Sequence, residues 1–222
     1  MRAIFFDAGN TLVFPDHQRT LAPLLARGYR FGEDQLFAAE RAARKYRDSL
    51  PTSELSSNTD KQYWVIYFRE LLGMKAEESL IAELVELSRT SGNWKRVIPG
   101  TRDVLLRLKQ RFQVAVISNS DGHMADLLRQ VGLGDCFDSV TDSSIVGFQK
   151  PHPGIFQAAL KQARVEAAES MYVGDIYSID YLGATAVGMQ AILMDLFGTY
   201  TNNGVPRVGS LEELEQVLTH QR

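Results

Sequence analysis

The chain has 222 residues, 45% of them hydrophobic and 23% charged, with a formal net charge of −3. That length suits one large domain or a core with a smaller insertion, and the slightly acidic balance gives no general attraction to nucleic acid or to an anionic membrane surface. A single cysteine, Cys136, excludes an internal disulfide, and with no long apolar leader and no apolar run able to span a bilayer the expectation is a cytoplasmic protein.

The first expected element is a short buried strand over Ile4-Phe5-Phe6 that ends on Asp7, with Thr11 close behind. A carboxylate at a strand C-terminus faces the crevice where doubly wound α/β proteins bind ligands. It can serve there as a nucleophile, a metal ligand or both. From Pro15 to about residue 96 the texture changes to helical segments at roughly 17–27, 33–49, 59–72 and 77–91, with no convincing strand. Within that stretch Arg41-Ala42-Ala43-Arg44-Lys45-Tyr46-Arg47 reads as a solvated helix face. Pro99-Gly100 returns the chain to an α/β pattern.

Strands expected at Gln113–Ser118, Ser170–Asp175 and Gln190–Asp195 then alternate with helices at roughly 101–111, 122–131, 154–164 and 179–187. Such alternation implies a parallel sheet with right-handed crossovers. Cys136 reads as a small buried apolar residue, 199–204 as a surface loop, and Ser210 as the start of a closing helix over 210–219. The fold class expected is therefore α/β. A doubly wound parallel sheet forms a core over 1–14 and 97–222, and a helical domain over 15–96 is inserted after the first strand.

Four polar signals fall at expected strand ends. They are Asp7 with Thr11, Ser118-Asn119, Lys150 ahead of Pro151-His152-Pro153, and Gly174-Asp175 followed by Asp180. Taken singly, a Ser there is ordinarily a helix cap, a Lys a solvated charge and a Gly-Asp pair a turn. The four together, in this order, are much harder to reduce to those readings. Pro151 biases Lys150 away from helical geometry and Pro153 suits a first helical turn, so a fixed backbone aims the lysine across the crevice.

The series Asp-x-x-x-Thr, an apolar run into Ser-Asn, Lys-Pro-x-Pro-x-Ile-Phe and Val-Gly-Asp-x-x-x-x-Asp resembles the haloacid dehalogenase superfamily of phosphatases, phosphonatases and dehalogenases. Val116-Ile117-Ser118-Asn119, Val173-Gly174-Asp175 to Gly183-Ala184 and Val187-Gly188-Met189 match closely. The match covers the α/β core, and the insertion after Asp7 is similar to that family's helical cap. The resemblance implies a Rossmannoid core and a hydrolase in which Asp7 attacks phosphorus to form an aspartyl-phosphate. It also implies Mg²⁺ held by Asp7 and Asp175 with the Gly9 carbonyl, Asp180 completing or orienting the shell. Lys150 would neutralise Asp7 and the phosphate, and Ser118 would donate to a phosphoryl oxygen. Thr11 would orient the loop, while the amides of Ala8, Gly9 and Asn10, with Asn119, would add to the phosphate cradle. The implied partner is a small phosphorylated metabolite.

One position departs from the family. Its phosphatases usually carry Asp two residues after the nucleophile, where it protonates the leaving oxygen and then activates water, but this chain has Gly9. General acid–base catalysis of that kind contributes typically ~10²–10⁴-fold. Activity is therefore expected to be weak or restricted to leaving groups that need little protonation, such as aryl or acyl phosphates. Halide expulsion needs no proton, yet the family's dehalogenases use no Mg²⁺ and lack the acidic pair present here as Asp175 and Asp180. Three carboxylates without a cation would repel one another.

Phosphonate cleavage would need a reactive cap lysine; Lys45, Lys61 and Lys75 are available, each more simply a surface residue. The chain is most similar to members of unassigned substrate that combine a nonstandard residue at this position with an intact Gly-Asp motif, including its Tyr63-Trp64 segment. A cradle without the acid would also suit a non-catalytic binder of a phosphorylated ligand. The cap and the Gly-Asp motif oppose a response-regulator receiver, and no Gly-x-Gly-x-x-Gly after the first strand supports a dinucleotide binder. Asp16 and His17 near the cap hinge are candidate proton donors, although a helix N-cap and its neighbour is the plainer reading. Arg19, Arg44, Tyr63 and Trp64 could reach a cleft, or equally serve packing and solvated surface.

Overall fold

Near-continuous apolar runs suit strands covered on both faces, and such runs form four of the six strands of a parallel sheet. The computed structural model of the protein describes residues 1–51, 57–73, 76–201 and 204–220. Lys75, and positions 202 and 203 of the 199–204 loop, lie outside the described residues. The strands are β1 (Ala3–Phe6), β2 (Gln113–Ser118), β3 (Ser139–Asp142), β4 (Ser170–Gly174), β5 (Gln190–Met194) and β6 (Arg207–Val208), in the order β3-β2-β1-β4-β5-β6. All five pairings are parallel. The order reverses at β1, so the ends of β1 and β4 border the switch point where open α/β sheets bind ligands. Phe6 pairs with Val116 on one side and Val173 on the other, and the chain therefore leaves the sheet at Asp7, Ser118 and Asp175 along one edge.

The helices are α1 (His17–Thr20), α2 (Ala22–Ala26), α3 (Glu33–Asp48), α4 (Ser57–Leu72), α5 (Glu78–Arg89), α6 (Thr101–Lys109), α7 (Met124–Gln130), α8 (Ser143–Val146), α9 (Pro153–Ala163), α10 (Leu182–Ala186) and α11 (Leu211–His220). The chain divides into two compact units. One comprises Met1–Phe14, Lys95–Leu196 and the chain from Tyr200 onward, and the other comprises Pro15–Trp94 with Phe197–Thr199. The first holds the sheet and α6 to α11, with Phe5, Ala115, Ile117, Ile155, Phe156 and Tyr172 in one core cluster. The second is helical and has a core of its own around Leu24, Trp64, Phe68 and Leu84.

Several elements differ from the sequence expectation. The 17–27 segment breaks at Leu21, because Pro23 in the first turn of α2 has no N–H to continue α1. The 179–187 segment opens as a π-helical turn over Tyr177–Tyr181 before α10. Strands β3 and β6 and helix α8 were not foreseen; β3 is Ser-Val-Thr-Asp and β6 has two residues, so neither offers an apolar run. Ser210 does cap the closing helix, its Oγ accepting from the Glu213 amide at 3.1 Å.

The Arg41–Arg47 segment is not a solvated face. Arg44 is 0% exposed and Arg47 is buried, because their spacing on α3 puts them on the stripe that carries Ala39, Glu40 and Ala43 inward. Arg44 pairs with Glu40 at 3.5 Å and its guanidinium lies 4.6 Å from the Phe197 ring centre. Arg47 pairs with Asp60 and stacks over Tyr63, whose hydroxyl donates to Glu40. The arginine stems fill apolar space while their heads find charge and aromatic faces. Tyr63 and Trp64 are buried among these groups, and Arg19 is exposed beside Asp16 at 3.5 Å.

Candidate active site

Asp7 directly follows β1, and its amide donates to the Val173 carbonyl at 2.8 Å, so the nucleophile candidate is tied to the neighbouring strand. The chain then turns on the Ala8 carbonyl, which accepts from the amides of Leu12 and Val13, both at 2.9 Å. Asn10 adopts φ +53° and its amide donates to the Val13 carbonyl at 2.8 Å. That amide is engaged inside the turn. The Thr11 hydroxyl is buried and has no hydrogen-bond partner among the described residues.

Lys150 is 4% exposed and joins the separate strand ends. Its ammonium donates to Asp7 Oδ1 at 2.5 Å, Asp180 Oδ1 at 2.7 Å and the Tyr172 hydroxyl at 2.8 Å. Its backbone is braced by Asn119, whose Oδ1 accepts from the Lys150 amide at 2.7 Å and whose Nδ2 donates to the Lys150 carbonyl at 3.0 Å. Both ends of the Asn119 side chain are thus engaged on Lys150, and Asn119 positions the lysine where the sequence reading had it contact substrate. Burial pulls the ammonium's pKa down, but Asp180 and Asp7 outweigh it and hold the group above the ordinary lysine range. Burial pushes the Asp7 carboxyl up from 3.8 to about 6, with Lys150 opposing and Asp180 adding to the rise.

The π-helical turn explains how Asp180 returns to this cluster. Its amide donates to the Ile176 carbonyl at 2.8 Å, and its Oδ2 accepts from the amides of Asp175 at 3.0 Å and Ile176 at 2.9 Å. Gly174 makes room: a Cβ there would lie 2.5 Å from Asp180 Cγ. On Oδ1, Asp180 accepts from Lys150 and faces the Tyr172 hydroxyl at 3.1 Å, whose one proton is shared with the Ile117 carbonyl. One oxygen each of Asp7, Asp175 and Asp180 lies within 4.8 Å of the others, all three residues being buried. Three carboxylates against one ammonium leave excess negative charge in a site of oxygen donors, a set that fits a hard divalent cation. Asp7, Asp175 and Asp180 each offer one oxygen to such an ion, and the Asp180 oxygens also accept hydrogen bonds from Lys150 and from the Asp175 and Ile176 amides.

Ser118 ends β2 and is buried. The loop after it is held by two residues the sequence reading passed over. Asp142 accepts from the amides of Gly122 at 3.1 Å and Ser144 at 3.0 Å, and Ser143 Oγ accepts from the Ser120 amide at 3.0 Å. Asp142 ends β3, the strand that carried no apolar signal, and Ser143 opens α8. Tyr172 was also missed, because a lone aromatic inside an apolar strand reads as core. Asp16 is the N-cap of α1, accepting from the Gln18 amide at 3.0 Å, as its plainer reading held.

A protein-family profile for haloacid dehalogenase-like hydrolases matches residues 1–188. The mouse (Mus musculus) haloacid dehalogenase-like hydrolase domain-containing protein 3 is 32% identical over 192 residues, covering 82% of this chain and 76% of that protein. A glyceraldehyde 3-phosphate phosphatase from Methanothermobacter thermautotrophicus is 29% identical over 197 residues, covering 88% of this chain and 86% of its own. Among solved structures, the magnesium-bound putative HAD-hydrolase YfnB from Bacillus subtilis superposes with a TM-score of 0.72 at 21% identity, covering 98% of each chain. No described helix is long and apolar enough to cross a membrane. Profile and relatives agree over most of the length, and the parallel sheet agrees with them in fold, so the chain belongs to the haloacid dehalogenase-like hydrolases.

Proposed function

We propose that the protein is a Mg²⁺-dependent phosphohydrolase that works through an aspartyl-phosphate on small phosphorylated metabolites whose leaving groups need little protonation. The observation that carries this reading is the Lys150 ammonium 2.5 Å from Asp7 Oδ1 inside a buried carboxylate cluster, with glycine at position 9. Lys150 counteracts the burial of Asp7, so the carboxylate is ionised and nucleophilic near neutral pH. Ser118 and the amides of Ala8 and Gly9 would donate to phosphoryl oxygens as charge shifts during transfer. Asp7, Asp175 and the Gly9 carbonyl would hold Mg²⁺, which when bound neutralises phosphoryl charge. Asp180 keeps Lys150 and the Gly174–Ile176 backbone in place.

Gly9 offers no proton, so the leaving oxygen must depart as an anion. Aryl and acyl phosphates allow that at the lowest cost. The phosphatase names of several relatives support a small phosphorylated substrate, and the helical unit Pro15–Trp94 would be the part that selects it. Lys45 and Lys61 are exposed, and no observation favours either as an imine-forming amine. Hydrolysis of p-nitrophenyl phosphate tests the reading. Turnover that requires both Mg²⁺ and Asp7 is the expected result. Turnover that survives EDTA or Asp7→Asn would overturn it.

A further inference from the structure

Tyr172 lies on β4 opposite Phe5 of β1, two residues before the strand reaches Gly174. Its ring is 0% exposed and packs edge-on against Phe156 at 5.4 Å between centroids. Its hydroxyl accepts from Lys150 Nζ at 2.8 Å, and its own proton faces two acceptors, Asp180 Oδ1 at 3.1 Å and the Ile117 carbonyl at 3.2 Å. Ile117 is the residue before Ser118. One hydroxyl therefore touches the lysine, its second carboxylate and the strand that presents Ser118.

An ammonium has three N–H groups, and Lys150 has three acceptors. Two anchors, Asp7 and Asp180, would leave Nζ free to slide on an arc about the line joining them. The third anchor removes that freedom. The two carboxylates bring charge, whereas the phenol adds a fixed point without adding a further negative group to the site. A core tyrosine serving only to fill space would need a partner for its hydroxyl, and the Ile117 carbonyl alone would supply one. Here the hydroxyl is also committed to the ammonium beside Asp7.

From this geometry we propose that Tyr172 is a positioning residue that fixes the Lys150 ammonium on Asp7 for the attack on phosphorus. The proposal rests on the phosphohydrolase reading above. Displacing a reacting group's partner by about 1 Å can cost on the order of 10²-fold in rate, and loss of one of three anchors should cost less than that.

The test is Tyr172→Phe, which keeps the ring and its packing, read in two ways. In steady-state hydrolysis of p-nitrophenyl phosphate with Mg²⁺, kcat is expected to fall roughly tenfold with KM within about twofold, the mark of an interaction used after binding. In protein labelled with ¹⁵N-lysine, the Nζ signal of Lys150, assigned by its loss in Lys150→Arg, is expected to show proton exchange roughly fivefold faster or more. A fall in kcat with an unchanged Nζ signal would overturn the proposal, because Tyr172 would then act by a route other than Lys150. A changed signal with unchanged kcat would overturn it too. Wild-type protein that hydrolyses no phosphate ester overturns the phosphohydrolase reading by itself, and the Nζ signal, which needs no substrate, still supports or overturns the hold of Tyr172 on Lys150.

Discussion

Gly9 limits what the site can do, because glycine brings no side chain able to give a proton to a leaving oxygen. Gly9→Asp is expected to raise kcat for an alkyl phosphate by roughly 10- to 100-fold and to change aryl phosphate turnover only a few-fold, since only the poor leaving group needs the acid. Steady-state rates on the two substrate types check this, and an unchanged alkyl rate would place the proton source elsewhere. The carboxylate cluster was legible in sequence as far as spacing to a strand end could carry it: Asp7 and Asp175 each follow the apolar run that announces a strand, and Asp180 comes five residues after Asp175. Residue uses set by tertiary contacts were not legible. Asn119 looks like a substrate ligand until its side chain is seen bracing the Lys150 backbone, and the Asn10 amide looks available until the turn closes on Val13.

Among elements, α3 shows how charge can be structural. Glu40, Arg44 and Arg47 enter the helical core as a group, and burial raises the Glu40 pKa against the pull of Arg44. Removing one partner of such a pair leaves a buried charge uncompensated, so Arg44→Ala should cost about 3–5 kcal/mol. The exposed Arg69–Glu78 pair (2.6 Å) should contribute about 0–1 kcal/mol when Arg69 is replaced. Urea unfolding of the two variants separates these outcomes, and equal losses would contradict the buried-pair account. The same helix marks a limit of pattern reading, because arginines three apart predict a solvated stripe unless the partner carboxylates and rings on other segments are known. The fold was legible where strands were apolar, as in β1, β2, β4 and β5. It was hidden in β3 and β6, which are short and polar, and in the π-helical turn, whose extra residue follows from the return of Asp180 to Lys150.

For the molecule as a whole, the carboxylate cluster should make stability depend on pH and on a divalent cation. The Asp7 carboxyl is raised from 3.8 to about 6, chiefly by burial, so the cation-free folded state holds that proton more tightly than the unfolded chain. The contribution of Asp7 to stability is therefore greatest when it is protonated, falls as pH rises from 3.8 to about 6, and levels off above. In EDTA, wild-type protein should lose more Tm than Asp7→Asn between about pH 5 and about pH 7.5. Saturating Mg²⁺ near neutral pH should raise the wild-type Tm and leave Asp7→Asn nearly unmoved. Thermal melts of both proteins in both buffers check the sign. The position of β1 at the centre of the sheet also has a consequence in time. The strand that carries Asp7 is synthesised first, yet its two neighbours begin only at Gln113 and Ser170. At ~5–20 residues per second, β1 waits roughly 10–30 s on the ribosome for β4 to be made. Until β2 and then β4 are made, an apolar strand has open edges, so the nascent chain depends on cover from elsewhere, and the carboxylate cluster around Asp7 is complete only when the last of its members has left the tunnel.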